Sequence, residues 1–147
     1  HTVCQEVISR IHAGMIVGCY VSVKDELDTS EILEYCFANN ITVCVPKVVE
    51  NTLQFYKIKS NHDLAPAPFG LLEPNVTEMI LVQRIDMMIV PLSSYDSKNH
   101  RTGYGKGYYD SVLSNCINKI GVAFQEQEVD FIDVEPHDVT LDEIIVV

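Results

Sequence analysis

Apolar residues fall along this chain in short, separated runs. Val3, Val7, Ile8 and Ile11 share one face at helical spacing and predict a short helix over residues 3–12. The apolar run over residues 15–23 predicts a strand. Residues 28–39 turn Ile32, Leu33, Tyr35, Cys36 and Phe37 inward as a helix. Asp28 is placed to act as its N-cap with Glu31 three residues later, and Asn39-Asn40 ends it. Residues 41–45 form the next strand, closed by Pro46. Alternation over residues 53–58 reads as an exposed or edge strand, and residues 61–74, with Pro66, Pro68 and Pro74, as a proline-rich loop. Residues 77–81 fit a short strand or helix, whereas 86–91, 119–123 and 143–147 read as buried strands. Short apolar strands alternating with helices predict an α/β domain with a mainly parallel sheet.

Composition narrows the class. The 147 residues fit one domain with a real core, and 47% hydrophobic and 21% charged content are ordinary for a globular protein. No apolar run reaches the ~18 residues a membrane span requires, and no basic segment leads into a secretory signal. A net charge of −11 argues against a nucleic-acid partner, which needs a basic face. The five cysteines are odd in number and form no C-x-x-C pair. They do not cluster with the five histidines into a zinc pattern, so they read as small buried hydrophobes of a cytoplasmic protein.

The densest chemistry lies in SKNHRTGYGKGYYDSVLS, residues 97–114. Gly103, Gly105 and Gly107 alternate, Arg101 and Lys106 sit among them, and Tyr104, Tyr108, Tyr109 and Asp110 complete the set. Alternating glycines make a poor strand and a worse helix, but they let a backbone approach a ligand closely. A buried strand, a glycine loop and a helix start together present backbone N–H groups to a phosphate. The spacing matches neither G-x-x-x-x-G-K-[ST] nor G-x-G-x-x-G. A tight turn between closely packed elements is the competing reading.

The wording of PLSSYDSKNHRTGYGKGYYD, residues 91–110, closely resembles the signature of the 5-formyltetrahydrofolate cyclo-ligase family, with Thr102 where leucine is usual. GCYVSVKDELDTSEIL (18–33), VCVPKVVENTLQFYKI (43–58), GLLEP (70–74) and EPHDVTLDEIIV (135–146) resemble further family segments in the same order. The resemblance implies a three-layer, Rossmann-like single domain over residues 1–147. It also implies a longer N-terminal helical arm with a Lys/Arg pair on ATP phosphates, to which nothing here corresponds. The expected activity is ATP- and Mg²⁺-dependent conversion of 5-formyltetrahydrofolate to 5,10-methenyltetrahydrofolate.

By the same resemblance, Arg101 and Lys106 are the expected catalytic cations. Residues Arg101, Gly103, Tyr104, Gly105, Lys106, Gly107, Tyr108, Tyr109 and Asp110 are the expected nucleotide contacts. Val21, Glu26, Phe55, Tyr104 and Tyr108 are expected at the folate, and Asp110 with Asp138 at Mg²⁺. Each has a plainer reading. Asp110 suits the first turn of a helix, Asp138 a polar turn, with Asp142 the alternative metal ligand, and His137 could orient a carboxylate or phosphate. Glu26 suits a solvated acidic run, and Phe55 and Tyr56 suit edge-strand alternation. Two other functions stay open at this point: a non-catalytic folate or nucleotide binder, and a sugar-phosphate isomerase-like enzyme on a similar scaffold.

Overall fold

The computed structural model describes residues 2–23, 26–103, 108–136 and 138–146. The strands are β1 (Ile16–Cys19), β2 (Thr42–Val49), β3 (Thr52–Ile58), β4 (Leu64–Pro66), β5 (Leu72–Pro74), β6 (Met79–Ile80), β7 (Met87–Val90), β8 (Ser94–Tyr95), β9 (Arg101–Thr102), β10 (Lys119–Ala123) and β11 (Glu143–Val146). The α-helices are α1 (Val3–Ile8), α2 (Ser30–Ala38) and α3 (Tyr108–Leu113). The main sheet runs in the order β11-β10-β7-β1-β2-β3-β6. Its first five members are mutually parallel, and β3 and β6 join through antiparallel pairings.

Alternation along the parallel strands divides the core into two layers. Val17, Cys19, Val43, Val45, Met87, Ile89, Ile120 and Val122 point to one face, where α1 and α2 supply Val3, Val7, Ile32, Leu33 and Cys36. Cys44, Met88, Val90 and Ala123 point to the other face, with Leu53 and Phe55 of β3 and Leu113 of α3. A strand buried on both faces must read as a continuous apolar run, and Met87, Met88, Ile89 and Val90 do. Gly18 keeps β1 thin where the second layer is tight. A Cβ there would lie 2.8 Å from Met88 Sδ. All five cysteines are buried and free of disulfides, and burial pushes the Cys36 and Cys116 thiols up to about 11. Among the described residues no helix is long and apolar enough to cross a membrane.

Local chemistry explains the element ends, including those that depart from the pattern. Asn40 adopts φ +57° after α2, and the Ile41 amide donates to the Cys36 carbonyl at 3.0 Å, closing a Schellman motif. The helix starts at Ser30 rather than Asp28, because Thr29 takes the N-cap position. Thr29 gives its hydroxyl to the Tyr20 carbonyl, and Asp28 accepts from the Ser30 amide instead. Strand β2 runs through Pro46 to Val49 rather than stopping at it. Pairing with β1 ends at Cys44, so Pro46 sits where β2 has a single neighbour, as a residue without an N–H requires. Glu50 and Asn51, at φ +50° and +65°, make a two-residue turn of type I′ character into β3. The stretch 61–74 is not a plain loop; its ends fold into the β4–β5 ribbon.

Strand β3 is the main correction to the pattern. It is an inner strand, flanked by β2 and β6, and not an edge. Phe55 is 0% exposed and packs in the second core layer, so it is not a wall of any open site. Truncating it should therefore act on stability. Phe55→Ala is expected to cost ~3–5 kcal/mol in urea unfolding. A loss under ~0.5 kcal/mol, as for a surface position, would place the ring outside the core.

Candidate active site

β1 and β7 are hydrogen-bonded neighbours, yet the chain leaves them in opposite directions. From β1 it passes through α2 to β2 on one side, and from β7 through α3 to β10 on the other. Divergence at the carboxyl ends of two adjacent parallel strands opens a crevice there. A cleft of about 630 Å³ occupies that place. Tyr20 and Val21 follow β1 into it, Pro91 follows β7, and Pro46 and Val48 reach it from the far end of β2.

One half of the cleft is polar. Arg101, Thr102 and Gly103 line it, held by the short β8–β9 pairing. The Arg101 guanidinium donates from Nη1 to the Pro91 carbonyl at 3.2 Å and lies 5.6 Å from the centre of the Tyr109 ring. Gly103 makes room for it, since a Cβ there would stand 2.8 Å from Nη1. Tyr108, Tyr109 and Asp110, from the first turn of α3, share this half. The Tyr109 hydroxyl is buried and forms no hydrogen bond among the described residues, and burial raises its pKa well above the ordinary tyrosine value.

Asp96 organises this half without touching the cleft. It is 3% exposed and accepts four hydrogen bonds. Oδ1 takes the amides of Lys98 and His100 at 3.0 and 3.1 Å, and Oδ2 takes His100 Nδ1 at 3.0 Å and the Ile132 amide at 3.1 Å. Burial alone would raise the carboxyl's pKa, but the His100 ring and the three amides outweigh it and hold it below the usual carboxylate range. The result ties the turn before Arg101 to the chain at Ile132 and Asp133, which form another wall.

The other half is mostly apolar, built by Val48, Leu53, Leu71 and Leu72, with one carboxylate, Glu73. Glu26 also lines the cleft, on a loop braced by Tyr20 Oη donating to the Leu27 carbonyl at 2.7 Å. Burial raises the Glu26 carboxyl, and the Val23 amide at 2.8 Å partly opposes that. Asp110 and Asp138 both line the cleft. Asp110 Oδ1 accepts from the Val139 amide at 3.4 Å, and Asp138 Oδ2 from the Glu135 amide at 2.8 Å. No group of three or more metal-ligating side chains exists among the described residues. Two carboxylates lining one cleft are ligands of the kind Mg²⁺ takes, since it keeps waters and needs few protein ligands.

The profile of the 5-formyltetrahydrofolate cyclo-ligase family matches residues 2–147. The chain belongs to that family. The 5-formyltetrahydrofolate cyclo-ligase of Haemophilus influenzae is 30% identical over 139 residues, covering 88% of this chain and 74% of the relative. That of Mycoplasma pneumoniae is 32% identical over 134 residues, covering 88% and 71%. The solved structure of the Aquifex aeolicus 5,10-methenyltetrahydrofolate synthetase has a TM-score of 0.80 and 26% identity, covering 98% of this chain and 77% of that one.

Of the residues expected at a cyclo-ligase site, Val21, Glu26, Arg101, Gly103, Tyr108, Tyr109, Asp110 and Asp138 meet in the one cleft. Tyr104, Gly105, Lys106, Gly107 and His137 lie outside the described residues. Phe55 does not reach the cleft; Leu53, two residues earlier on the same strand face, does. Asp142 stands elsewhere, at the amino end of β10, where Lys119 donates its amide at 2.7 Å and pairs through Nζ at 3.2 Å. Sequence reasoning missed Pro46, Val48, Glu73 and the wall at Ile132 and Asp133. GLLEP was a visible signal for Glu73, whereas residues 132–133 carry no local pattern at all.

Asp96→Asn removes the charge and turns an amide N–H₂ toward existing donors, so it should cost about 1.5–3 kcal/mol at neutral pH. The native pKa of Asp96 is lowered, so its contribution is full above the unfolded value of ~3.9 and fades as pH falls through the native value. Urea unfolding of both proteins should show a constant gap from pH 7 to about 5 that narrows below about 4. A gap that widens on acidification would contradict the assignment.

Proposed function

We propose that this cyclo-ligase-family chain converts 5-formyltetrahydrofolate to 5,10-methenyltetrahydrofolate, consuming ATP and releasing ADP and phosphate, in the cleft above β1 and β7. The observation that carries the reading is the bipartite cleft. Arg101 and Gly103 line the same cleft of about 630 Å³ as Val48, Leu53, Leu71 and Leu72, so one cleft offers a cation for a phosphoryl group and apolar surface for a flat heterocycle. The reading includes a cytoplasmic setting, which five buried thiols free of disulfides fit.

The chemistry explains why such a pair of subsites suffices. A formamide oxygen is a poor leaving group. When it attacks the γ-phosphorus of ATP, ADP departs and an imino-phosphate forms. Nitrogen 10 of the folate then bonds to the formyl carbon and gives up its proton. The carbon–oxygen bond breaks and phosphate leaves with the former formyl oxygen. Phosphoryl transfer of this kind asks for positioning and charge neutralisation more than for a strong acid or base.

Arg101 and Lys106 neutralise the transferred group, with the loop amides from Gly103 to Gly107 and the tyrosines Tyr104, Tyr108 and Tyr109 around the nucleotide. Asp110 and Asp138 would hold Mg²⁺, which supplies the positive charge a triphosphate needs in a chain of net charge −11. Val21 and Glu26 face the folate.

Absorbance of the methenyl product, with and without ATP and Mg²⁺, tests the reaction itself; no product under any condition would reject it. Lys106→Ala is expected to raise the KM for ATP about 10- to 100-fold, the worth of one charged contact, while the melting temperature holds. Asp110→Asn and Asp138→Asn should each raise the Mg²⁺ concentration needed for half-maximal rate. Asp142→Asn, on the opposite edge of the sheet, should not.

A further inference from the structure

We propose that Glu73 sets substrate specificity at the apolar end of the cleft, its carboxylate taking the paired N–H donors on the aminopyrimidinone edge of the pterin. The inference rests on the folate reading above. Glu73 belongs to β5, whose ribbon lies against β2. By Val48, β2 no longer has β1 beside it, and the Val48 amide donates to Glu73 Oε2 at 3.2 Å instead. That bond fixes the side chain. Oε1 has no partner among the described residues.

The surroundings match one face and one edge of a bicyclic ring. Val48, Leu53, Leu71 and Leu72 can cover a flat apolar surface. A reduced pterin carries two adjacent donors, N3–H and the 2-amino group. A carboxylate offers two oxygens at matching spacing: Oε1 and the remaining lone pair of Oε2.

The other cleft carboxylates are worse placed for this. Asp110 and Asp138 stand on the Arg101 side and accept from Val139 and Glu135, and Asp133 follows the wall tied to Asp96. Glu26 accepts from the Val23 amide in its own loop, away from the β5 ribbon that carries Glu73.

Glu73→Gln provides the test because it is nearly isosteric and keeps an amide oxygen for the Val48 N–H, while its N–H₂ opposes the ring donors. Wild type and variant are assayed for ring closure with 5-formyltetrahydrofolate and with the analogue lacking the 2-amino group. The variant should show a KM for 5-formyltetrahydrofolate raised about 10- to 100-fold, with the ATP KM and melting temperature unchanged. Wild type should discriminate against the analogue, and the variant should lose most of that discrimination. An unchanged folate KM, or full discrimination retained in the variant, overturns the proposal. So does a rise in both KM values with a fall in melting temperature, which would reduce Glu73 to an anchor of β5. Absence of methenyl product from the wild type would instead remove the folate reading itself, and this proposal with it.

Discussion

The pairing of β1 with β7 is the constraint on which the rest depends. Two parallel strands side by side must each be followed by a crossover, and right-handed crossovers that diverge put one helix on each face of the sheet. The two core layers, the placement of α2 and α3, and the gap above Cys19 and Val90 follow from that pairing. The cleft is therefore not carved into a finished body. It is the space left where the backbone separates.

What fills the walls of that space comes from irregular chain, and irregular chain needs anchors. Asp96 supplies one by satisfying four donors at a buried point. Tyr20, Thr29 and Leu27 supply another on the β1 side, and Glu73 with Val48 a third. These anchors use side-chain-to-backbone bonds, which fix a loop's path while leaving its other side chains for a ligand. Two carboxylates of the cleft, Asp110 and Asp138, are likewise engaged with backbone amides.

The strands that bury both faces were legible in the sequence, because Met87 to Val90 and Lys119 to Ala123 leave no other packing solution. Arg101, Gly103 and Asp110, singled out in the glycine-rich segment, do line the cleft. Strand β3 was misjudged because half-burial by alternation looks the same whether the strand's neighbour is solvent or β6. The start of α2 was misjudged because Thr29 gave its hydroxyl to Tyr20, a partner no local rule contains. Ile132 and Asp133 were invisible for the same reason: they reach the site through Asp96, thirty-six residues away.

The division of the core into two layers also sorts the cysteines. Cys4, Cys19 and Cys36 belong to the layer under α1 and α2, and Cys44 and Cys116 to the layer under α3. All are buried in the folded chain, and burial raises the pKa of each thiol. The molecule thus carries its own set of opening reporters. A thiol reagent consumed in two phases, three groups apart from two, would mean that the helical layers detach separately. One shared phase would mean that the sheet and both coverings come apart as a single cooperative unit.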